Sequence, residues 1–385
     1  MIKFQKPYRM ENAKKYIDDV LLSGHIEGDG KYTSRCEEWI QSELNSSNIL
    51  MMTSCTHALE SAVRALHLTE GDEVIMPSYT YPSTANAVVL VGGKVVFSEV
   101  LEENLTIDPS KIEEKITLRT RAIIVVHYGG ASCQMEEIMD IAQKYNLIVI
   151  EDAAQSFLTK YQDKYTGTIG HIGCFSFCGT EDFVAGEGGA ISINDSRFSE
   201  EIEVFRQKGT NRSAFVDGRS EYYEWVHEGS NFSPSELTMA VLYSQFELKE
   251  RIISKRRNIY QHYLEYMDML TDRYKLSHRI SYSRTPSQQV NGHLFYILFN
   301  QVNEANAFRI YLAKNKIETR THLVALHESQ KGKEYIKSSN PFKVEAMIGQ
   351  RLVRLPIYPD LQPREQESIQ NIIRLFFKEY MGIDT

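Results

Sequence analysis

Between about residue 46 and residue 195 the chain alternates short β-branched runs with helical patterns, and this alternation constrains the fold more than any other feature. Parallel strands need a crossover connection that is usually a helix, so the pattern predicts βαβ units and a mostly parallel sheet. The predicted strands are Ile49–Met52, Glu73–Met76, Lys94–Phe97, Ala122–Val126, Leu147–Ile150, Gly173–Phe177 and Gly189–Ile193. We therefore expect an α/β fold with a seven-stranded sheet covered by helices.

The length of 385 residues exceeds what one simple hydrophobic core supports, so we expect two packed units. After about residue 290 the pattern changes to short strands and helices that are typical of a smaller α+β domain. The predicted elements there are His293–Phe299, Ala305–Lys314 and Arg364–Glu379. We predict a large domain over residues 1–250 and a small C-terminal domain over residues 251–385, which includes a bridging helix.

The sequence around residue 233 predicts the start of a helix that leads into this bridge. Ser233 can cap the helix, Pro234 suits the first helical position, and Glu236 can close a capping box. We expect the helix to continue through Leu248 into the charged segment Lys249–His262.

Charge and composition exclude several classes of partner. A net charge of −8 disfavours nucleic acid, because binding to a phosphate backbone depends on clustered Lys and Arg. The densest basic run, Lys249–Arg257, is typical of a solvated helix face. No apolar run approaches the roughly 18 residues of a membrane span, and the first residues lack the apolar core of a signal peptide, so we expect a cytoplasmic protein. The five scattered cysteines favour free thiols over a disulfide framework or a zinc site.

Three predicted strands end in polar turns that can each cap a following helix: residues 54–57, 77–83 and 151–155. Ligands of open α/β sheets bind beyond the carboxyl ends of strands, so these turns define the expected site. The first turn, Ser-Cys-Thr-His, can bind a phosphate with the free N–H groups of a helix start, or can be a plain N-cap.

The other two turns carry groups suited to an aromatic cofactor. Asp152 can pair with a protonated pyridine nitrogen or can cap a helix, and both interpretations stay open. Gln155 lies one helical turn further on and can hydrogen-bond a ring hydroxyl. Only one of Tyr79 and Tyr81 can face the site, because side chains alternate along an extended segment.

Taken together, these features and Ser176 before a Gly-rich turn resemble the DegT/DnrJ/EryC1/StrS sugar aminotransferases, which have the aspartate-aminotransferase fold (pyridoxal-phosphate-dependent transferase fold type I). The resemblance extends along nearly the whole chain, through Gly28–Gly30, Met76–Asn86, Val126–Gly129, Glu151–Gln155, Gly186–Gly189 and Leu352–Pro356. In Gly167–Phe177 and Lys208–Ser213 the chain is similar to transaminases that aminate C4 of a dTDP-linked 4-keto-6-deoxyhexose. This implies surface-polysaccharide (lipopolysaccharide) or secondary-metabolite sugar synthesis.

The resemblance implies a set of residues that bind pyridoxal 5′-phosphate or pyridoxamine 5′-phosphate: Thr56, His57, Tyr81, Asp152, Gln155, Ser176 and Asn231. By similarity, Thr56 and His57 offer backbone N–H groups to the phosphate. Tyr81 stacks on the ring. Asn231 matches a residue that reaches the phosphate from the neighbouring subunit, which implies a homodimer with shared active sites.

The resemblance also implies a nucleotide-linked sugar as substrate, with dTDP as the expected nucleotide. Arg212, His293 and His322 match positions near the sugar nucleotide.

The sequence departs from the family at the position that matters most for chemistry. The family pattern Ser-Phe-His-x-Thr-Lys-Asn is here Ser-Phe-Cys-Gly-Thr-Glu-Asp, so Glu181 stands where the catalytic lysine is expected. A lysine there holds the cofactor covalently and moves a proton. A carboxylate cannot do the first, so the cofactor would be bound non-covalently. Cys178 and Asp182 also differ, which favours natural divergence over an engineered substitution.

Three hypotheses follow from this departure. In the first, the protein is a lysine-free enzyme that uses the pyridoxamine form, as the related sugar 3-dehydratases do with a histidine at this position, and Glu181 is its base. In the second, it is a catalytically silent sugar-nucleotide-binding paralogue or subunit. In the third, it is a conventional 4-aminotransferase of low efficiency.

Overall fold

The computed structural model describes residues 1–336 and 342–380 of the chain. Its strands are β1 (Ile49–Met52), β2 (Glu73–Pro77), β3 (Lys94–Ser98), β4 (Thr120–Val126), β5 (Ile148–Asp152), β6 (Lys160–Tyr161), β7 (Lys164–Tyr165), β8 (Ile172–Ser176), β9 (Gly189–Ile193), β10 (Ile280–Tyr282), β11 (Phe295–Phe299) and β12 (Leu352–Leu355). Its α-helices are α1 (Ala13–Ser23), α2 (Lys31–Leu44), α3 (Cys55–Arg64), α4 (Pro82–Leu90), α5 (Met135–Tyr145), α6 (Ser199–Arg206), α7 (Arg212–Val216), α8 (Glu236–Phe246), α9 (Lys249–Tyr274), α10 (Val302–Lys314), α11 (Ile348–Arg351) and α12 (Pro363–Leu375).

The large sheet has seven strands in the order β1-β9-β8-β5-β4-β2-β3. Strand β9 pairs antiparallel with both β1 and β8, and the other pairings are parallel. The predicted mostly parallel α/β sheet is therefore confirmed, with strand ends that differ from the expected ones by one or two residues. Strand β5 extends further than expected, so Asp152 is its last residue.

Helices cover both faces of this sheet. Ile124 and Ile150 pack in the core formed with α3 and α4. Their neighbours Ile123 and Val149 face the opposite way and pack against α5. Because both faces are buried, the strands are continuous hydrophobic runs without polar alternation.

The smaller sheet, β10-β11-β12, is antiparallel and forms a core with α9, α10 and α12. This agrees with the α+β pattern expected after residue 290. The domain boundary at residue 250 stays a prediction. The first residues of the chain contact its C-terminal part, because Ile2 N donates to Lys316 O at 2.8 Å.

Three expectations about the helix near residue 233 are wrong. The N-cap is Ser235, whose hydroxyl accepts from Thr238 N at 3.3 Å. Glu236 does not close a capping box, because its carboxylate reaches α2 and accepts from Tyr32 N at 2.6 Å and Thr33 N at 3.0 Å. The helix also ends at Phe246, and α9 begins as a separate helix at Lys249.

The basic run at the start of α9 is not simply a solvated face. Arg256 is 2% exposed, and its Nε lies 2.7 Å from Asp182 Oδ1. One arginine of the run therefore forms a buried ion pair with the segment that contains Glu181.

Candidate active site at the strand ends

The topology brings three of the predicted groups to one edge of the sheet. Strands β1, β5 and β8 run in the same direction, so the start of α3, Asp152 and Ser176 lie at the same edge. Ser176 pairs with Gly189, and a Cβ on Gly189 would lie 2.4 Å from the carbonyl carbon of Ser54. Glycine at this position is required because the backbone of β9 approaches the turn before α3.

The start of α3 is a capped helix N-terminus. Ser54 Oγ accepts from His57 N at 3.1 Å, so the cap already uses the His57 N–H group. The N–H groups of Cys55 and Thr56 have no intrahelical acceptor and suit a phosphate together with the positive end of the helix dipole. The His57 ring stacks on Phe232 with centroids 3.9 Å apart, and its Nδ1 lies 2.5 Å from Thr53 Oγ1.

Asp152 is buried at the end of β5. Its Oδ2 accepts from Thr84 Oγ1 at 2.8 Å and its Oδ1 from Ala154 N at 3.2 Å. Burial raises the pKa of this carboxyl despite both hydrogen bonds. The expectation that this turn opens a helix is wrong, because the chain continues through turns into β6. His127 opposes this shift electrostatically, and a cationic ring nitrogen beside the carboxylate would oppose it further.

The two tyrosines after β2 face different ways, as expected. Tyr79 is fully buried, and its hydroxyl oxygen lies 3.3 Å from that of Tyr128. Tyr81 is 60% exposed and precedes α4. Gln155 is half-buried, and its Oε1 accepts from Gly129 N at 2.7 Å. This bond orients the amide, so Nε2 is the end that can donate to a ligand.

Glu181 lies in the turn between β8 and β9. Its side chain is 12% exposed. Its Oε1 accepts from the Cys178 thiol at 3.4 Å, and its Oε2 has no hydrogen-bond partner among the described residues. Burial raises the pKa of the Glu181 carboxyl, the nearby Asp182 adds to this effect, and His293 opposes it. A carboxyl with a raised pKa and an oxygen without a hydrogen-bond partner among the described residues is suited to accept and return a proton.

His293 faces Glu181 and is held by a buried ion pair. Its Nδ1 lies 3.7 Å from Glu181 Oε2 and 3.3 Å from Asp182 Oδ1. Burial alone would raise the pKa of Asp182, but the Arg256 guanidinium and His293 hold it below its usual value. Asp182 is therefore a carboxylate that fixes the imidazole beside Glu181.

His322 lies with the strand-end tyrosines. Its Nδ1 lies 2.6 Å from Tyr128 Oη, and its ring is 6.5 Å from the Tyr79 ring. Burial, with Arg354 and His293, lowers the pKa of His322 well below its usual value, so the imidazole is neutral.

Arg212 and Asn231 are not brought to these groups within one chain. Arg212 is exposed at the start of α7, and Asn231 is exposed and forms a β-bridge with Gln207. Their assigned roles stay predictions.

Sequence reasoning missed several residues of the site. Thr84, which donates to Asp152, lies one residue beyond the predicted turn of residues 77–83. A polar residue in the first turn of the following helix, α4, was the available signal. The pairing of Asp182 with Arg256 had no local signal, because the two residues are distant in sequence.

The large sheet and the position of its strand-end groups define the class of this protein, the pyridoxal-phosphate-dependent transferases of fold type I. The model of the DegT/DnrJ/EryC1/StrS aminotransferase family matches residues 7–374. The chain belongs to this family, whose enzymes use pyridoxal 5′-phosphate and its pyridoxamine form.

Similar proteins support this assignment. A dTDP-3-amino-3,6-dideoxy-alpha-D-galactopyranose transaminase of Aneurinibacillus thermoaerophilus is 34% identical over 83% of both chains. The GDP-perosamine synthase of Escherichia coli O157:H7 is 29% identical over 97% of this chain and 98% of its own. The structure of a Streptococcus pneumoniae protein in its PMP form matches with a TM-score of 0.87 over 98% of this chain and 100% of that chain, at 20% identity, which shows the shared fold.

No helix within residues 1–336 and 342–380 has the length and apolarity needed to cross a membrane. The same residues contain no group of three or more His, Cys, Asp or Glu side chains that could hold a metal ion.

Proposed function

We propose that the chain binds pyridoxamine 5′-phosphate non-covalently at the strand ends and acts on a nucleotide-linked 4-keto-6-deoxy sugar, with Glu181 as the acid–base group. The candidate reaction is loss of a hydroxyl from the sugar, not transfer of an amine to it. One observation carries the proposal: the family's lysine position holds a buried carboxylate with a free oxygen and a raised pKa.

The residues present fit such a cofactor. The N–H groups of Cys55 and Thr56 and the Ser176 hydroxyl would take phosphate oxygens, and Asp152 would pair with the ring nitrogen. Gln155 would donate from Nε2 to the ring oxygen. The exposed ring of Tyr81 is available for stacking.

Non-covalent binding is the mode that this site supports. Lys160 and Lys164 are exposed in the β6–β7 hairpin, and Lys208 is exposed near α6. None of these three amines forms a contact with Asp152 or Glu181 in the described part of the chain.

When bound, pyridoxamine phosphate supplies a primary amine that condenses with a keto carbon and a ring that withdraws electrons from the adjacent carbon. The protein must then move a proton at that carbon. Glu181 Oε2 is the acceptor in this proposal, because none of the described residues forms a hydrogen bond with it. His293 lies 3.7 Å away and can stabilise the carboxylate or share its proton, while Asp182 keeps the imidazole in place.

The substrate class rests on similarity and on side-chain chemistry. The two relatives named above carry GDP or dTDP in their names, and we propose a dTDP-linked sugar here. Arg212, His293 and His322 are the proposed contacts to the sugar nucleotide.

We also propose a homodimer in which Asn231 completes the site of the neighbouring subunit. The segment before Asn231 exposes the aromatic side chains of Tyr222, Tyr223 and Trp225, which are 64%, 54% and 79% exposed. An exposed apolar patch of this kind is typical of a protein interface.

The test is product analysis with the purified chain, pyridoxamine phosphate and a dTDP-4-keto-6-deoxyhexose. We expect a deoxygenated sugar nucleotide and, for each one formed, conversion of one pyridoxamine phosphate to pyridoxal phosphate and ammonia, because replacing the hydroxyl by hydrogen takes two electrons that the cofactor amine would supply. We expect Glu181→Gln to lower the rate by roughly 10²–10⁴-fold. Glu187→Gln, an exposed neighbour in the same turn, is the matched control and retains the rate. A 4-amino sugar as product would favour the conventional aminotransferase. Absence of both products, with co-purification of an active paralogue, would favour the silent subunit.

A further inference from the structure

Arg354 lies on β12, on the side of the small sheet that faces the candidate site. It is paired across the strands with Tyr296 of β11. Leu352 and Tyr296 belong to the cluster that contains Tyr79 and Tyr128, whereas Val353 and Leu355 belong to the core on the other face. Because side chains alternate along a strand, Arg354 shares the face of Leu352 and points toward the strand-end tyrosines.

The Arg354 guanidinium has no anionic partner in the described part of the chain. Its Nε is buried without a hydrogen-bond partner, and its contact is with the Phe4 ring, whose centroid lies 5.0 Å from Cζ. Arg354 is intermediate in exposure, whereas Arg206 and Arg256 are fully buried and are paired with the carboxylates of Asp29 and Asp182. A cation that is largely removed from water without a counter-charge is costly, so an unpaired arginine at this position is unusual.

The surroundings of Arg354 are polar and belong to the candidate site. Burial lowers the pKa of the guanidinium, although the hydroxyls of Tyr128 and Tyr79 and the charge of Glu181 oppose this shift. The Tyr296 hydroxyl is also buried and has no hydrogen-bond partner within the residues described. Within the described residues, Arg354 is therefore a cation on this side of the site without an anionic partner, and the lowered pKa of His322 favours a neutral imidazole beside it.

We propose that Arg354 binds an oxyanion of a ligand, either the carboxylate of an amino acid or a phosphate of the sugar nucleotide. This inference rests on the proposed function for the location of the ligand, and it names a chemical group that the ligand must carry. A guanidinium offers two parallel N–H donors that match the two oxygens of a carboxylate or phosphate. The anion would neutralise the charge of the partly exposed Arg354 and could also accept from the Tyr296 hydroxyl.

The test uses the full chain and two probes, L-glutamate for the carboxylate and dTDP for the phosphate, with binding measured by calorimetry. We expect Arg354→Met to weaken the binding of one probe by roughly 10- to 100-fold, the loss typical of a charge-assisted hydrogen bond. Arg320→Met is the matched control, because Arg320 is exposed and pairs with Arg354 through the backbone. This control should retain wild-type affinity for both probes.

A loss confined to L-glutamate supports an amino-acid ligand, and a loss confined to dTDP supports the sugar nucleotide. Equal binding by the wild type and Arg354→Met, or no binding of either probe by the wild type, overturns the proposal. If Arg354→Met does not fold, Arg354→Lys decides, because it keeps the charge and loses the paired donors. The Glu181→Gln variant separates this proposal from the proposed function. It should bind the probe with wild-type affinity, because the anion contacts Arg354, and this result does not depend on which reaction Glu181 supports.

Discussion

Replacement of Glu181 by glutamine should make the protein more stable at high pH, because the native carboxylate is buried and one of its oxygens has no hydrogen-bond partner within the described residues. An unsatisfied buried polar group costs about 1–3 kcal/mol. The Cys178 thiol and His293 offset part of this cost. We therefore expect Glu181→Gln to raise the free energy of unfolding by about 1–2 kcal/mol at pH 8.

The effect must depend on pH with a defined sign. The pKa of Glu181 is raised in the folded state, so the folded protein binds more protons than the unfolded chain, in which glutamate titrates near about 4.3. The contribution of Glu181 is therefore favourable at acid pH and is lost as pH rises through the folded pKa. The stability gain of Glu181→Gln should vanish near pH 4 and grow toward pH 8.

Urea unfolding followed by circular dichroism, at one protein concentration and several pH values, measures this difference. Glu187→Gln, in the same turn but exposed, should give no such trend. A Glu181→Gln protein that is less stable than the wild type at pH 8, or a difference that does not change with pH, would refute the reasoning.

Further predictions concern the surroundings of the site. Arg256→Met should lower the free energy of unfolding by about 3–5 kcal/mol, because the buried Asp182 loses its guanidinium partner and keeps the His293 imidazole at 3.3 Å. Lys144→Met at an exposed ion pair should cost under about 1 kcal/mol, and urea unfolding at pH 7 compares the two variants. Glu236→Gln should cost about 2–3 kcal/mol in the same assay, because an amide N–H₂ replaces an oxygen that accepts backbone N–H groups of α2. Gly189→Ala should weaken pyridoxamine phosphate binding at least about 10-fold by calorimetry, because its Cβ would lie 2.4 Å from the turn before α3, and unchanged affinity would contradict that view of the phosphate site.

The large sheet was predictable from sequence because its signals are local. Buried parallel strands are short hydrophobic runs, and the crossover helices between them carry their own pattern. The same locality placed Ser54 and Asp152 at strand ends. In the structure, Ser54 lies between β1 and α3, and Asp152 is the last residue of β5. The helix expected after Asp152 is absent from this described segment.

The side-chain contacts that were not predicted depend on partners that are distant along the chain. Glu236 was interpreted as part of a local capping box, but it bonds α2, about 200 residues away in sequence. Arg256 was expected to be solvated with its neighbours, yet it pairs with Asp182 in the turn after β8. No local pattern distinguishes a buried arginine from an exposed one when its partner is supplied by the tertiary fold.

The central claim is that the site holds its cofactor without a covalent bond to a lysine. The most direct test incubates the wild type and Glu181→Lys with pyridoxal phosphate, reduces both with borohydride and measures the intact mass, while a parallel sample is passed through gel filtration with pyridoxamine phosphate. The account predicts that the wild type retains pyridoxamine phosphate and gains no covalent adduct, whereas Glu181→Lys gains one cofactor per chain. A reduced adduct on a lysine of the wild type, or loss of all pyridoxamine phosphate on the column, would contradict it.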